Sequence, residues 1–381
     1  MAEQVMTDAV RVAFVSSHAK LGGSERYLSH LLEGLGPEWI AEVVVLDDGP
    51  FVGSVTALLG RPPRVVPTGR RAGSILVGAW RLRRALFRRE TPDVVHANGV
   101  KAALVCALAS IGSRVPVIWV KHDFSWDGPL GRAIASRCRL VVGVSASVLE
   151  GLRLPPAKAR VVYSGLPERA DGRPDARTRV AQVLGVPPER PLVLLVGRLH
   201  PAKGQIELIE TAPGVLRRIP DALFVLLGGS DDTTPAYGVG VKERARELDL
   251  GEAVTFVEYR DDADRFIEGA DVVVIPSVRD DRGMGREGFS LVGLESMMTG
   301  TPIVAYADGA LPEILGDCAA FAPPGDRGAL GDEIVTLLKD ESLRARLTEC
   351  GKQRSRGTFG FSAMIDALKW CYRAAADRRG R

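Results

Sequence analysis

Two glutamates eight positions apart, Glu287 and Glu295, frame the segment of this sequence best suited to hold an extended polar ligand. Between them, Gly288-Phe289-Ser290-Leu291-Val292 reads as a glycine turn entering a helix that stops at Gly300, a natural left-handed terminator. The N–H groups of Ser290, Leu291 and Val292 open that helix, find no carbonyl within it, and sit at the positive end of its dipole. Together they make an anion site fit for a phosphate. Eight positions place the carboxylates two turns apart, too far to share one ligand atom but suited to two ends of one ligand with a diphosphate between them. Arg198 and Lys203 add positive charge in the loop Gly197–Gly204, which follows the apolar run Pro191–Val196. A planar guanidinium and a mobile ammonium at the carboxyl end of a strand suit a diphosphate whose charge grows as its bond breaks.

Two histidines also close apolar runs: His96 after Val94-Val95, and His122 after Val115–Lys121. A histidine at a strand's carboxyl end is placed at the ligand-binding edge of an α/β sheet, and for His122 that is the favoured reading. His96 fits a satisfied structural histidine or an acceptor-side group. Lys121 fits a ligand-facing cation or a loop charge.

The elements that must carry these residues alternate. Arg11–Ser17 is a strand, Lys20–Glu25 a glycine loop and Tyr27–Leu35 a helix; strands at Ala41–Leu46, Asp93–His96, Val115–Val120, Leu140–Val144 and Arg160–Tyr163 interleave with helices at Ser74–Arg89 and Val100–Ala109. From Leu166 to Arg190 the composition turns to Pro, Arg, Asp and Glu, as in a connection. The order then restarts with strands at Pro191–Val196, Leu223–Leu227, Val254–Val257, Val272–Pro276 and Pro302–Ala305, and a long amphipathic helix from Phe361 to about Ala375 ends the pattern. Continuous apolar strands between helices predict two doubly wound parallel sheets, an α/β protein of two Rossmann-like domains.

With 381 residues, 46% of them apolar and 25% charged, the chain has material for two cores, which excludes disordered and fibrous classes. Fifty Lys and Arg against 47 Asp and Glu leave a formal charge of +3, too small for a nucleic-acid binder acting along its whole length. Neither a dinucleotide fingerprint nor a P-loop occurs. The one D-x-D, Asp262-Ala263-Asp264, precedes an amphipathic stretch and reads as helix N-terminal acids, so no metal is expected. Five scattered cysteines without ligand spacing read as reduced core thiols of a cytosolic protein, and no apolar run or leader pattern points to a membrane span or export. Residues 61–90 hold nine arginines and one acid, interleaved in Ser74–Arg89 with Ile75, Leu76, Val77, Trp80, Leu82, Leu86 and Phe87. Such a helix either packs its apolar face on a sheet or lies on an anionic membrane at the inner face.

Taken in order, Gly22-Gly23 with Glu25-Arg26, Val95-His96-Ala97, Lys121-His122-Asp123, Gly197-Arg198 with Lys203-Gly204, Pro276-Ser277, Glu287-Gly288-Phe289 with Glu295, and Gly309 with Pro312-Glu313 resemble the retaining glycosyltransferases of family 4 over nearly the whole chain. The resemblance implies the GT-B fold, two Rossmann-like domains facing a cleft. Domains are then expected at 1–168 and 169–360, with the helix 361–381 crossing back to the first. It implies a nucleoside diphosphate sugar donor without cofactor or metal: Arg198 and Lys203 on the diphosphate, Glu295 on the ribose, Glu287 on the transferred sugar, and Phe289 to Val292 completing the donor site. Gly23 would let the backbone approach the donor, and His122 would line the reaction centre as a catalytic residue with Glu287. Gly22, His96, Lys121 and Asp123 fall on the acceptor side, where a glycan, lipid-linked or natural-product hydroxyl would bind. Ser164-Gly165 and Glu258 depart from the family's usual residues and leave the base open; UDP is favoured, with a GDP-mannose donor the second candidate. The segment Arg279–Arg286 resembles the extended loop of exopolysaccharide-type members. A nucleotide-sugar epimerase of the same fold and a non-catalytic nucleotide-sugar binding protein are the rival readings.

Overall fold

The computed structural model describes residues 10–69, 71–87, 92–167, 173–231, 233–279 and 285–377. Arg88 and Arg89 of the basic helix, residues 168–172 of the connection and residues 280–284 of the loop before Glu287 lie outside the described residues. Two compact units divide the chain: Met1–Pro167 with Phe361–Arg381, and Glu168–Gly360.

The first unit runs β1 (Val12–Ser16), α1 (Gly23–Gly34), β2 (Ile40–Val45), α2 (Pro50–Leu59), β3 (Arg64–Val65), α3 (Ala72–Leu86), β4 (Val94–Asn98), α4 (Val100–Ala109), β5 (Val117–Lys121), α5 (Pro129–Arg137), β6 (Leu140–Gly143), α6 (Ser147–Glu150) and β7 (Ala159–Val161). Its strands form one parallel sheet in the order β3-β2-β1-β4-β5-β6-β7. Every residue of β1, β4 and β5 is buried because helices cover both faces, which explains why these runs are continuously apolar rather than alternating. Period two still sorts the side chains. Ala13, Val15, Val95, Ala97 and Trp119 join one core with Leu82, Leu86 and the α4 alanines, whereas Phe14 and His96 meet Tyr372 on the opposite side.

The second unit runs α7 (Arg173–Leu184), β8 (Leu192–Val196), α8 (Gln205–Leu216), β9 (Leu223–Leu227), α9 (Pro235–Glu247), β10 (Val254–Val257), α10 (Ala263–Gly269), β11 (Val272–Ile275), α11 (Leu291–Thr299), β12 (Ile303–Tyr306), α12 (Leu311–Leu315), β13 (Ala320–Ala322), α13 (Arg327–Lys339) and α14 (Glu341–Thr358). Its parallel sheet has the order β10-β9-β8-β11-β12-β13. The last helix, α15 (Phe361–Ala376), packs on α1, β4 and β5 of the first unit, where Met364, Leu368 and Tyr372 are buried. Each such side chain contributes about 1.5–3 kcal/mol by leaving water.

Strands β3 and β13, of two and three residues, escape the sequence reading because periodicity needs a longer run. The cysteine reading needs a larger correction. Cys318 and Cys350 form a disulfide that ties the turn before β13 to α14 across 32 positions, while Cys106, Cys138 and Cys371 remain buried thiols. Burial pushes the Cys138 thiol up to about 12 and the Cys371 thiol up to about 11. Proximity across a helix packing leaves no trace in spacing, and a bonded pair removes the cysteine argument for a reducing compartment.

Candidate functional site

In the second unit β8 lies between β9 and β11, so the connections leaving β8 and β11 run to opposite sides and open a crevice at the carboxyl ends of the strands. The β8 loop brings Arg198 and Lys203 to it; the β11 loop brings Ser277, Glu287 and the start of α11. Lys203 Nζ donates to Glu287 Oε1 at 2.6 Å, and Ser277 Oγ donates to the same oxygen at 2.8 Å. The two loops touch backbone to backbone: Gly204 has φ +68, and a Cβ there would lie 1.8 Å from the Pro276 carbonyl oxygen. Gly309, at φ +61, presses on the Glu287 backbone from the other side, where the Ala310 N–H donates to the Glu287 carbonyl at 2.8 Å.

Arg198, half-exposed, forms an ion pair with buried Asp231. Burial alone would raise the Asp231 carboxyl; hydrogen bonds from the Thr233 hydroxyl and N–H, together with Arg198, outweigh it and hold the group below the usual carboxylate range. Arg279 forks onto Asp308 at 2.6 and 2.9 Å. At α11, Ser290 is the N-cap and its Oγ accepts from the Gly293 N–H at 3.1 Å. The Leu291 and Val292 N–H groups remain without an intrahelical acceptor, and Glu295, the fifth residue of α11, is buried about one turn in. The half-buried Phe289 ring lies edge-on to Phe359, just past the end of α14, at 5.8 Å.

The first unit repeats the device: β1 lies between β2 and β4, and its binding edge carries Gly22-Gly23 at the start of α1, Asn98 as the last residue of β4, and His122 just after β5. His122 is half-buried, with Nε2 2.6 Å from Asn98 Oδ1 and Tyr27 edge-on at 4.9 Å. Burial, opposed by Asp123 and reinforced by Lys121, pushes its pKa down to about 4, so the ring is neutral at pH 7. Gly22 meets the Glu25 carboxylate at 2.9 Å from its would-be Cβ, whereas a Cβ at Gly23 would touch nothing within 4 Å.

For His96 and Lys121 the structure selects between the two readings that the sequence left open, and Asp123 takes a local role. His96 is fully buried, with Nδ1 2.8 Å from the Tyr372 hydroxyl, and burial lowers its pKa to about 3; period two turns it under the sheet rather than to the edge, so it is structural. Lys121 is 1% exposed and gives its ammonium to Asp127 at 2.8 Å and to the Asp123 and Ser125 carbonyls, the only way to bury a charge cheaply. It is the anchor of its loop. Asp123 accepts from the Ser125 N–H at 2.9 Å and folds the same turn. Asp262 is held by Arg260 at 2.7 and 2.9 Å. Among the described residues, no group of three or more His, Cys, Asp or Glu is arranged to hold a metal ion, and no helix is long and apolar enough to cross a membrane.

Sequence reasoning passed over Asn98 and Asp231, and named Ser277 only within the resemblance, without a role. Each of the two had a signal: a polar residue closing an apolar strand (Asn98) and an acid just beyond the glycines after β9 (Asp231).

Two parallel-sheet Rossmann-like units with a closing helix returned to the first define the GT-B class of glycosyltransferase fold. Anabaena HepE in complex with UDP-glucose shares it at a TM-score of 0.81 and 21% identity, over 96% of this chain and all of that one. Sucrose-phosphate synthase from Thermosynechococcus elongatus does so at 0.76 and 20%, over 96% and 98%. The model for glycosyl transferases group 1 matches residues 176–354, and that for glycosyltransferase family 4 matches residues 21–169. A D-inositol 3-phosphate glycosyltransferase from Kineococcus radiotolerans is 31% identical over 328 residues, covering 75% of this chain and 72% of its own length. One of that name from Mycobacterium tuberculosis H37Ra is 27% identical over 308 residues, and the chain spans 62% of it. The chain belongs to family 4, and it is a glycosyltransferase.

Proposed function

We propose that the chain moves a hexose from a nucleoside diphosphate sugar, UDP favoured, to an acceptor hydroxyl, with retention and without a metal. The observation that carries this reading is the convergence on one crevice of Lys203, Glu287 and the free N–H groups of Leu291 and Val292, with Arg198 on the Lys203 loop. Lys203 and Arg198 supply the positive charge that a departing diphosphate needs, and Glu287, once its lysine turns to phosphate, accepts from sugar hydroxyls. Glu295 serves the ribose. On the first unit, His122 acts on the transferring sugar or its acceptor, and Gly23, which nothing in the chain itself forbids from carrying a side chain, keeps space for a ligand atom. The HepE structure holds UDP-glucose and the relatives' name is D-inositol 3-phosphate glycosyltransferase; both support a UDP-sugar and a cyclitol phosphate as the first donor and acceptor to try.

Calorimetric titration of UDP, GDP, ADP and TDP with their hexose conjugates, with and without chelator, tests the donor. Selective UDP binding unaffected by chelator is expected. No binding by any nucleotide would overturn the reading, and turnover of the donor to a free isomer without acceptor would replace it with epimerisation.

The outer face of α3 exposes Leu76, Val77 and Trp80 beside Arg81 and Arg84, whose guanidinium lies 4.9 Å over the indole. No acid occurs from Ala72 to Leu86. A face of this chemistry suits peripheral contact with an anionic membrane. Co-sedimentation with phosphatidylglycerol vesicles is expected at low salt, to be lost at high salt and in Trp80→Glu; absence of binding at low salt would remove the contact.

A further inference from the structure

Three segments of the first unit meet on one buried amide. Asn98, the last residue of β4, is fully buried; its Nδ2 donates to the Ser24 carbonyl at 3.0 Å, and its Oδ1 lies 2.6 Å from His122 Nε2. Chemistry dictates which end of the amide faces which partner. A backbone carbonyl only accepts, so the group opposite Ser24 has to be the NH2, and the group opposite His122 is then the carbonyl oxygen, which also only accepts. His122 Nε2 must carry the hydrogen. In a neutral imidazole this leaves Nδ1 as a lone pair, and among the described residues that atom has no hydrogen-bond partner.

We propose that Asn98 is a positioning residue that locks His122 as the Nε2–H tautomer, so that Nδ1 is presented to a hydroxyl of the bound carbohydrate, while the same amide holds the glycine loop at Ser24. The inference rests on the reading of His122 as ligand-facing and deepens it. A neutral lone-pair nitrogen accepts from a hydroxyl and offers nothing to an ionised phosphate oxygen, which itself only accepts. His122 therefore selects a hydroxyl and leaves diphosphate recognition to Arg198 and Lys203. The groups around the ring fit a neutral state: Tyr27 from α1, His96 from β4, and Lys121 and Asp123 flanking it, with the Lys121 charge already paired to Asp127.

The test is a long-range 1H–15N correlation spectrum of the full chain labelled with 15N-histidine, with the His122 signal assigned by its loss in His122→Gln. At pH 7 the wild type is expected to show the Nε2–H tautomer. In Asn98→Leu the signal should move to mixed or Nδ1–H character, with kcat/KM lowered roughly 10–100-fold, by analogy with the loss of the hydrogen-bond partner that orients a metal-bound histidine. Asn98→Asp keeps the acceptor opposite His122 while losing the donor to Ser24, and should restore a hydrogen on Nε2, read as the Nε2–H tautomer or the imidazolium, which a merely space-filling Asn98 would not predict. An Nδ1–H tautomer in the wild type, or an unchanged tautomer in folded Asn98→Leu, overturns the proposal; where Asn98→Leu does not fold, the wild-type spectrum decides. A failed donor assignment would appear instead as no turnover by the wild type, and the tautomer would still be read.

Discussion

Arg198→Ala and Lys203→Ala are each expected to lower kcat/KM by roughly 10²–10³, the effect of removing one preorganised group that stabilises developing transition-state charge. The loss should fall mainly on kcat, because the diphosphate gains charge only as its bond to the sugar breaks. Lys203 carries a second consequence. It shares Glu287 Oε1 with Ser277, so its removal leaves a largely buried carboxylate with one donor instead of two. Arg198 differs, since its partner Asp231 keeps both Thr233 hydrogen bonds when the guanidinium is lost. Lys203→Ala is therefore the variant expected to lose some thermal stability as well as rate. Initial-rate kinetics with the donor found by titration, beside a melting curve, separate the two effects; wild-type kinetics in both variants would sink the diphosphate assignment.

Gly204→Ala and Gly23→Ala are expected to fail in opposite ways. At Gly204 the backbone is left-handed and the new Cβ would lie 1.8 Å from the Pro276 carbonyl oxygen, so the two loops that join Lys203 to Glu287 have to part. The left-handed backbone alone costs about 1–3 kcal/mol for a non-glycine residue, and the overlap brings the expected loss to at least about 3 kcal/mol. In a unit of this size that lowers the melting temperature by roughly 6–12 °C. Gly23 opens α1, and a Cβ there meets open space, so Gly23→Ala should melt like the wild type. Its expected defect is functional, a loss of kcat/KM of at least about tenfold, because a methyl group would occupy room kept for a ligand. Calorimetry and kinetics on both variants check the contrast. An active Gly23→Ala enzyme would show that no ligand approaches that backbone.

Local pattern determined a good deal. The continuous apolar run Leu223–Leu227, buried throughout, was legible to the residue as a central parallel strand, and the β-branched and aromatic Val254–Val257 was legible as a strand at the sheet edge. The loops bearing Arg198, Lys203 and Glu287 were legible too, since residues just after a strand in such a fold lie at its binding edge whatever the partner strands are. Which loops become neighbours is another matter. Lys203 and Glu287 are 84 positions apart and meet only because β8 sits between β9 and β11, a strand order that no local period encodes. Lys121 shows the same limit: its sequence neighbours say strand end, but Asp127 and two carbonyls of the following loop consume its charge. Neither the Asn98 amide joining Ser24 to His122 nor the Cys318–Cys350 bond has a signature in spacing. A sequence specifies its elements through periodicities of two and 3.6 residues, which act over one or two turns. The contacts that tune a site act through space, and only the packed sheet order decides which side chains share it.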